Sequence, residues 1–270
     1  MNPQFLMRVE HLALSFGGVH AVRDVSFDLR RGEVLAIIGP NGAGKTSVFN
    51  LLTRVIDADA GTVTLDDGTD LMRVARHQVV HAGVARTFQN VELFDGATVR
   101  DNLLLGRHRF VQPRRPLAAL MHLVNEALWT PRLVRGEEAA REHVERIIDL
   151  LGLAMHRNSL VATLPYGVRK VVELGRALAA EPRMLLLDEP ASGLNPEETR
   201  DLGFWIDDIR HDLGISVLMI EHDMSLVSAV ADRVLCMNLG RVLTEGTVAQ
   251  VRAHPEVLAA YLGHATAEAA

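Results

Sequence analysis

The sequence predicts an α/β fold with a mixed sheet core, an antiparallel β part and an inserted helical subdomain. Three patterns carry this. VSFDLR at 25–30 alternates apolar and polar residues, whereas VLAIIG (34–39), MLLLDE (184–189) and SVLMIE (216–221) are continuous apolar runs, and 98–180 is mainly helical in pattern. Alternation marks a half-exposed antiparallel strand, and a continuous run marks a strand buried on both faces. A polar turn and a helix follow each continuous run, which is the pattern of parallel strands in an α/β sheet.

In chain order, LALSFGG closes a first strand at Phe16, VSFDLR is the next, and RRGE turns the chain into VLAIIG. A glycine-rich loop then opens the helical stretch KTSVFNLLTRV, and GTVTLDDG alternates as a further strand. The insertion comprises TVRDNLLLGRHRF, a basic irregular stretch VQPRRP, then LAALMHLVNEALW and EEAAREHVERIIDLLGL. A single domain over 5–263 is expected, with the helical part inserted at about 90–180. Residues 264–270, ending in ATAEAA, are expected to form a disordered tail of small residues with nothing to pack. No internal repeat is visible.

With 270 residues, 48% of them hydrophobic, the chain buries a substantial core. Its net charge of −6 argues against nucleic acid or an anionic membrane surface as the main partner. The single Cys236 forms no internal disulfide, which fits a reducing compartment. The amino terminus has no signal-peptide core, and no apolar run reaches the ~18 residues of a membrane span.

GPNGAGKT, 39–46, matches the phosphate-binding loop pattern in full, between a predicted buried strand and a predicted helix. Glycines let the backbone curl so that its N–H groups face phosphates at a helix amino end. Lys45 would neutralise the β and γ phosphates, and Thr46 would offer a hydroxyl to Mg²⁺. Asp188 ends a buried strand, where it would hold the Mg²⁺ shell, and Glu189 beside it would polarise an attacking water. An Asp-Glu pair at a strand end is common in α/β proteins; the neighbouring loop is what favours the functional reading. His222 falls on the same edge of the sheet, although a lone His after a strand is more often structural. Gln89 in RTFQN is a weaker signal still, and Phe16 would either stack on an adenine or fill the core. His77 and His81 stand four residues apart and would share a helix face as zinc ligands do, but no third ligand accompanies them. The cluster Arg107, Arg109, Arg114 and Arg115 reads as a solvated face or a contact with lipid head groups.

The order of an aromatic, GPNGAGKT, Gln89, LPYGV at 164–168, LLLDEP, SGLN and His222 resembles the ATP-binding subunit of ABC transporters over nearly the whole chain. That resemblance implies a P-loop ABC ATPase domain that binds ATP and Mg²⁺. It assigns Phe16 to the adenine, and Gly39, Pro40, Asn41, Gly42, Ala43, Gly44, Lys45, Thr46 and Ser47 to the nucleotide. Thr46, Gln89 and Asp188 go to Mg²⁺, Glu189 to the attacking water and His222 to the γ phosphate. Ser192 to Asn195 fall in the loop that touches a second ATP-binding subunit.

LPYGV aligns with the signature LSGGQ, which the resemblance implies lies on nucleotide held by the other subunit, with Leu164, Tyr166 and Gly167 on that ligand. Pro165 stands for the serine and supplies neither hydroxyl nor N–H. Asn195 stands where an aspartate is usual. ARTFQNVELFDGATVRDNLLLGRH, the long insertion and the ending HPEVLAAYLG are most similar to Liv-type branched-chain amino acid importers. Related importers of urea or short amides and a lipopolysaccharide exporter share much of the pattern, and a soluble non-transport ABC ATPase is the alternative of another class. The implied partners are transmembrane permease subunits, a second ATP-binding subunit that is a different chain or a copy, and indirectly an external substrate-binding protein. The implied location is peripheral, on the cytoplasmic face of the inner or plasma membrane.

Overall fold

The computed structural model describes residues 5–87, 91–107 and 131–267. Two compact units divide the chain: Met1–Gln89 with Arg183–Ala270, and Asn90–Pro182. In the first, β1 (Phe5–Phe16), β2 (Val19–Arg30), β3 (Val34–Ile38), α1 (Lys45–Leu52), β4 (Ala60–Leu65) and β5 (Val84–Arg86) precede the insertion. In the second lie α2 (Val99–Gly106), α3 (Pro131–Leu150) and α4 (Tyr166–Ala179). The first unit resumes with β6 (Met184–Asp188), α5 (Pro196–His211), β7 (Ser216–Ile220), α6 (Met224–Val230), β8 (Arg233–Asn238), β9 (Arg241–Gly246), α7 (Val248–Arg252) and α8 (Pro255–Ala267).

The strands form an antiparallel sheet ordered β2-β1-β4 and a six-stranded sheet ordered β5-β6-β7-β3-β8-β9, parallel except for β9. Patterning and burial agree strand by strand. Val25, Phe27 and Leu29 of β2 are buried between more exposed neighbours, and every residue of β3, β6 and β7 is buried. The core draws on both sheets and on Val48, Phe49, Leu51 and Leu52 of α1. Arg233 is one of its buried charges. It donates to Glu33 Oε1 at 2.8 Å, to the Asp28 carbonyl and to Glu245, so the cation is held among β2, the turn before β3, and β9 rather than left bare.

In the inserted unit the buried Asn102 folds the entry to α2 onto the helix. Its amide accepts from Phe94 N–H at 2.9 Å and donates to the carbonyls of Phe94 and Thr98, each at 3.0 Å. Thr98 caps the same helix by accepting from Asp101 N–H.

Two expectations change. Helix α8 continues to Ala267, into the stretch expected to be a tail, because its alanines are the best helix formers and pay little side-chain entropy. Residues 76–82 form a 3₁₀ helix, in which positions four apart sit about 120° apart around the axis, so His77 and His81 do not share a face. Among the described residues no group of three potential metal ligands occurs. Arg107 pairs with Glu181, while Arg109, Arg114, Arg115 and the run LAALMHLVNEALW lie outside the described residues.

Asn102→Ala removes one acceptor and two donor contacts at a fully buried position, and should cost about 2–3 kcal/mol, read as a lower urea midpoint for the transition that reports α2.

Candidate active site

Parallel register brings the motifs to one edge of the sheet. Asp188 pairs with Ile220, and Ile220 with Ile37, so the carboxyl ends of β6, β7 and β3 lie in one row. From that row the chain leaves into the phosphate-binding loop, the Glu189 turn and the His222 turn, where α/β sheets collect ligands.

The loop ends at Gly44, whose φ of 96° is left-handed and whose added Cβ would stand 2.3 Å from the Ala21 carbonyl oxygen. Only glycine brings the loop so close to β2. Lys45 is buried, and its Nζ donates to the carbonyls of Gly39 at 2.7 Å and Pro40 at 3.0 Å, folding the ammonium back over the loop. Burial pulls its pKa below the ordinary lysine value, while Glu189, Cys236 and Asp188 pull it back up. Asn41, Gly42, Ala43, Thr46 and Ser47 line a pocket of about 440 Å³, together with Glu189 and Phe16. Phe16 is 49% exposed, so it is not a core filler.

Helix α1 has no side-chain N-cap bond, and neither does α4, which follows Pro165. By contrast Thr98, Asn195, Asp223 and Thr247 cap α2, α5, α6 and α7. Uncapped first-turn N–H groups retain their donors for an external anion. Helix α4 begins at Tyr166, so Tyr166 and the buried Gly167 occupy its first turn while Leu164 precedes the Pro165 cap. Asn195 accepts from Glu197 N–H at 2.9 Å and Glu198 N–H at 3.0 Å, a capping role that asparagine fills as well as aspartate.

Three features escaped the sequence reading. Arg86, at the end of β5, donates to Asp188 Oδ2 at 2.6 Å with both side chains nearly fully buried, and to Asn50 Oδ1 at 2.8 Å and Thr53 Oγ1 at 3.2 Å. The Asp188 carboxylate is thereby oriented from below. Glu221, fully buried, accepts from the N–H groups of Ala191 at 2.8 Å, His222 at 2.7 Å and Asp223 at 2.9 Å, tying the turns after β6 and β7 together. Its signal was the acid that ends SVLMIE. Glu189 has a φ of 49°, a left-handed conformation that is strained for a non-glycine residue and frequent at functional sites. His222 leaves this frame with its side chain 64% exposed. Gln89 lies outside the described residues.

Residues 22–192 match the family described as ABC transporter. The chain belongs to the ABC transporter family. Residues 241–267 of this ABC protein also match the branched-chain amino acid ATP-binding cassette transporter family. It is 39% identical over 262 residues to the high-affinity branched-chain amino acid transport ATP-binding protein LivG of Salmonella typhimurium, covering 97% of this chain and 99% of that one. It is 40% identical over 260 residues to the high-affinity branched-chain amino acid transport ATP-binding protein BraF of Pseudomonas aeruginosa, covering 96% of this chain and 98% of that one. The ADP conformation of MJ1267, an ATP-binding cassette of an ABC transporter, superposes with a TM-score of 0.80 at 31% identity, covering 96% and 99%.

Arg86→Met should lower the unfolding free energy of this ABC cassette by about 3–5 kcal/mol, because it leaves Asp188 buried without its ion-pair partner; adding Asp188→Leu should recover most of the loss in denaturant titration. The buried Cys236 thiol is pushed up to about 11, chiefly by desolvation, against a smaller opposing effect of Lys45. A raised folded pKa gives stability that is present below the unfolded pKa and lost as pH climbs through the folded one. Stability of the wild type should therefore fall by about 2–3 kcal/mol more than that of Cys236→Ala as pH rises from about 9 to 11, as read by denaturant midpoints.

Proposed function

We infer that this chain is the ATP-hydrolysing subunit that energises a transmembrane importer, and that the cargo is a branched-chain amino acid. The observation that carries the cargo is the near full-length similarity to LivG and BraF, reinforced by the match of 241–267 to the branched-chain family. Among the described residues no helix is long and apolar enough to cross a membrane. The similarity to transport ATP-binding proteins supports permease subunits as the partners that receive the work. A second ATP-binding subunit, a different chain or a copy, completes the assembly at the cytoplasmic face of the membrane, and an external binding protein presents the cargo.

The pocket suits a nucleoside triphosphate. Its floor is an uncapped helix amino end with the Lys45 ammonium beside it, and its lip is apolar at Phe16. The donor set fits Mg²⁺ too, since the Thr46 hydroxyl and Asp188 carboxylate are hard oxygen ligands of the kind that hold this ion with phosphates and water. Held there by Thr46 and Asp188, Mg²⁺ would supply positive charge against the phosphates. Gln89 is proposed as a further oxygen donor there.

On this reading Phe16 stacks on the adenine and the loop N–H groups take the phosphates. The Lys45 ammonium swings from the Gly39 and Pro40 carbonyls to the γ phosphate. Glu189 accepts a hydrogen bond from the attacking water and aligns it with the γ phosphorus, while His222 donates to a γ oxygen. The chemistry is positioning and electrostatic stabilisation of an in-line displacement. Leu164, Tyr166 and Gly167 address the nucleotide held by the second subunit, with Gly167 and its neighbours offering N–H groups where Pro165 has none.

Glu189→Gln should retain ATP binding and lower turnover of the assembled transporter 100-fold or more, whereas Lys45→Ala should weaken ATP binding in the isolated chain. Unchanged turnover in the first would remove Glu189 from the water. In a complex whose two sites are distinguishable, Gly167→Asp should empty the second subunit's site and spare the Lys45 site, as read by site-resolved nucleotide occupancy. Branched-chain amino acid uptake by vesicles that hold the reconstituted complex tests the cargo.

A further inference from the structure

One wall of the pocket belongs to a residue with no assigned role. Strands β8 and β9 are joined by a two-residue turn, Leu239 and Gly240, with φ values of 47° and 80°. Tight hairpin turns with both φ positive favour Asn-Gly or Asp-Gly, because short polar side chains tolerate the left-handed region. A leucine there is strained. Among the described non-glycine residues with positive φ, Leu239 is the one aliphatic side chain.

The turn is clamped in place. Gly240 N–H donates to the Ala43 carbonyl at 3.0 Å, and its own carbonyl accepts from Arg23 N–H at 2.7 Å. A Cβ at Gly240 would meet the Ala21 carbonyl oxygen at 2.9 Å, so only glycine passes between the phosphate loop and β2. These bonds fix the backbone that carries Leu239, and its side chain lines the pocket at 66% exposure, alongside Val19 at 68% and Phe16. A strained apolar side chain that stays largely in water does little for the fold that holds it. On the pocket wall it stands with the apolar Phe16, Val19 and Ala21 and with His20 and Arg23 of β2, while Asn41, Lys45 and Thr46 supply the phosphate end.

We propose that Leu239 and Val19 form, with Phe16, an apolar slot for the purine base, and that Leu239 is a base-contacting residue that raises affinity for the nucleoside part of the ligand. The proposal rests on the nucleotide reading of this pocket. Strain at Leu239 is then tolerated because the side chain gains a flat apolar partner when nucleotide binds.

The test uses the full chain and two probes, ATP and inorganic tripolyphosphate, which has the phosphates and no base. Affinities are measured by calorimetry for wild type, Leu239→Asn and Phe16→Ala, with ligand-free melting temperatures. Leu239→Asn should bind ATP about 3- to 10-fold more weakly, bind tripolyphosphate as the wild type does, and melt about 2–4 °C higher, since asparagine suits the turn. Unchanged ATP affinity, or an equal loss for both probes, overturns the proposal. If Phe16→Ala selectively weakens ATP while Leu239→Asn does not, the slot at Leu239 is wrong and the nucleotide reading stands. If neither variant separates ATP from tripolyphosphate, the base does not sit in this pocket and both readings fall.

Discussion

The register of four parallel strands is the constraint on which the site depends. Pairing of Asp188 with Ile220 and Ile220 with Ile37 sets the ends of β6, β7 and β3 level, while Ile38 pairs with Cys236 and β8 runs two residues further. Neighbouring strands lie ~4.8 Å apart, so β6 and β3, with β7 between them, place Asp188 about 10 Å across the sheet from the strand that feeds the phosphate loop. A slip of one residue would turn Asp188 to the opposite face and away from Arg86. It would also draw a charged flanking residue, Arg183 or Glu189, into a span where every residue of β6 is shielded from water, at a cost in desolvation. The chemistry is therefore positioned by aliphatic packing rather than by the polar residues themselves.

Polar groups then refine what packing positions. Arg86 grips one oxygen of Asp188 and reaches α1 through Asn50 and Thr53, so the strand carrying the acid and the helix that opens at Lys45 share one guanidinium. Glu221 gathers three backbone N–H groups from the two turns that carry Glu189 and His222. Those three donors supply hydrogen bonds to a carboxylate that is cut off from water. Helices α1 and α4, which begin at the phosphate loop and at LPYGV, have no side-chain cap, whereas α2, α5, α6 and α7 are capped.

Much of this was legible in the residues. VLAII, MLLLD and SVLMI read as fully buried strands, and GPNGAGKT declared its own loop and helix, because burial and local turn chemistry are written in consecutive residues. Arg86, Glu221 and Leu239 were not legible as functional neighbours, since each acts through partners brought near only by sheet pairing. Arg86 meets Asp188 across 102 positions of sequence. His77 and His81 misled because a four-residue spacing implies a shared face only in an α-helix. The helix through Ala267 was missed because low amphipathicity and small side chains look like a tail, whereas alanine propensity favours the helix.

The inserted unit leaves the sheet unit after Gln89 and returns at Arg183. Its two connections flank neighbouring strands, because Val84 of β5 pairs with Met184 of β6 and Arg183 N–H donates to the Gly83 carbonyl at 2.7 Å. In topological terms the whole unit is one enlarged crossover between adjacent parallel strands. Chain-closure entropy grows only with the logarithm of loop length, each doubling costing about 0.6 kcal/mol. The length of this segment can therefore change at a small cost in closure entropy, while the strand ladder that aligns Asp188 with the phosphate loop is left as it was.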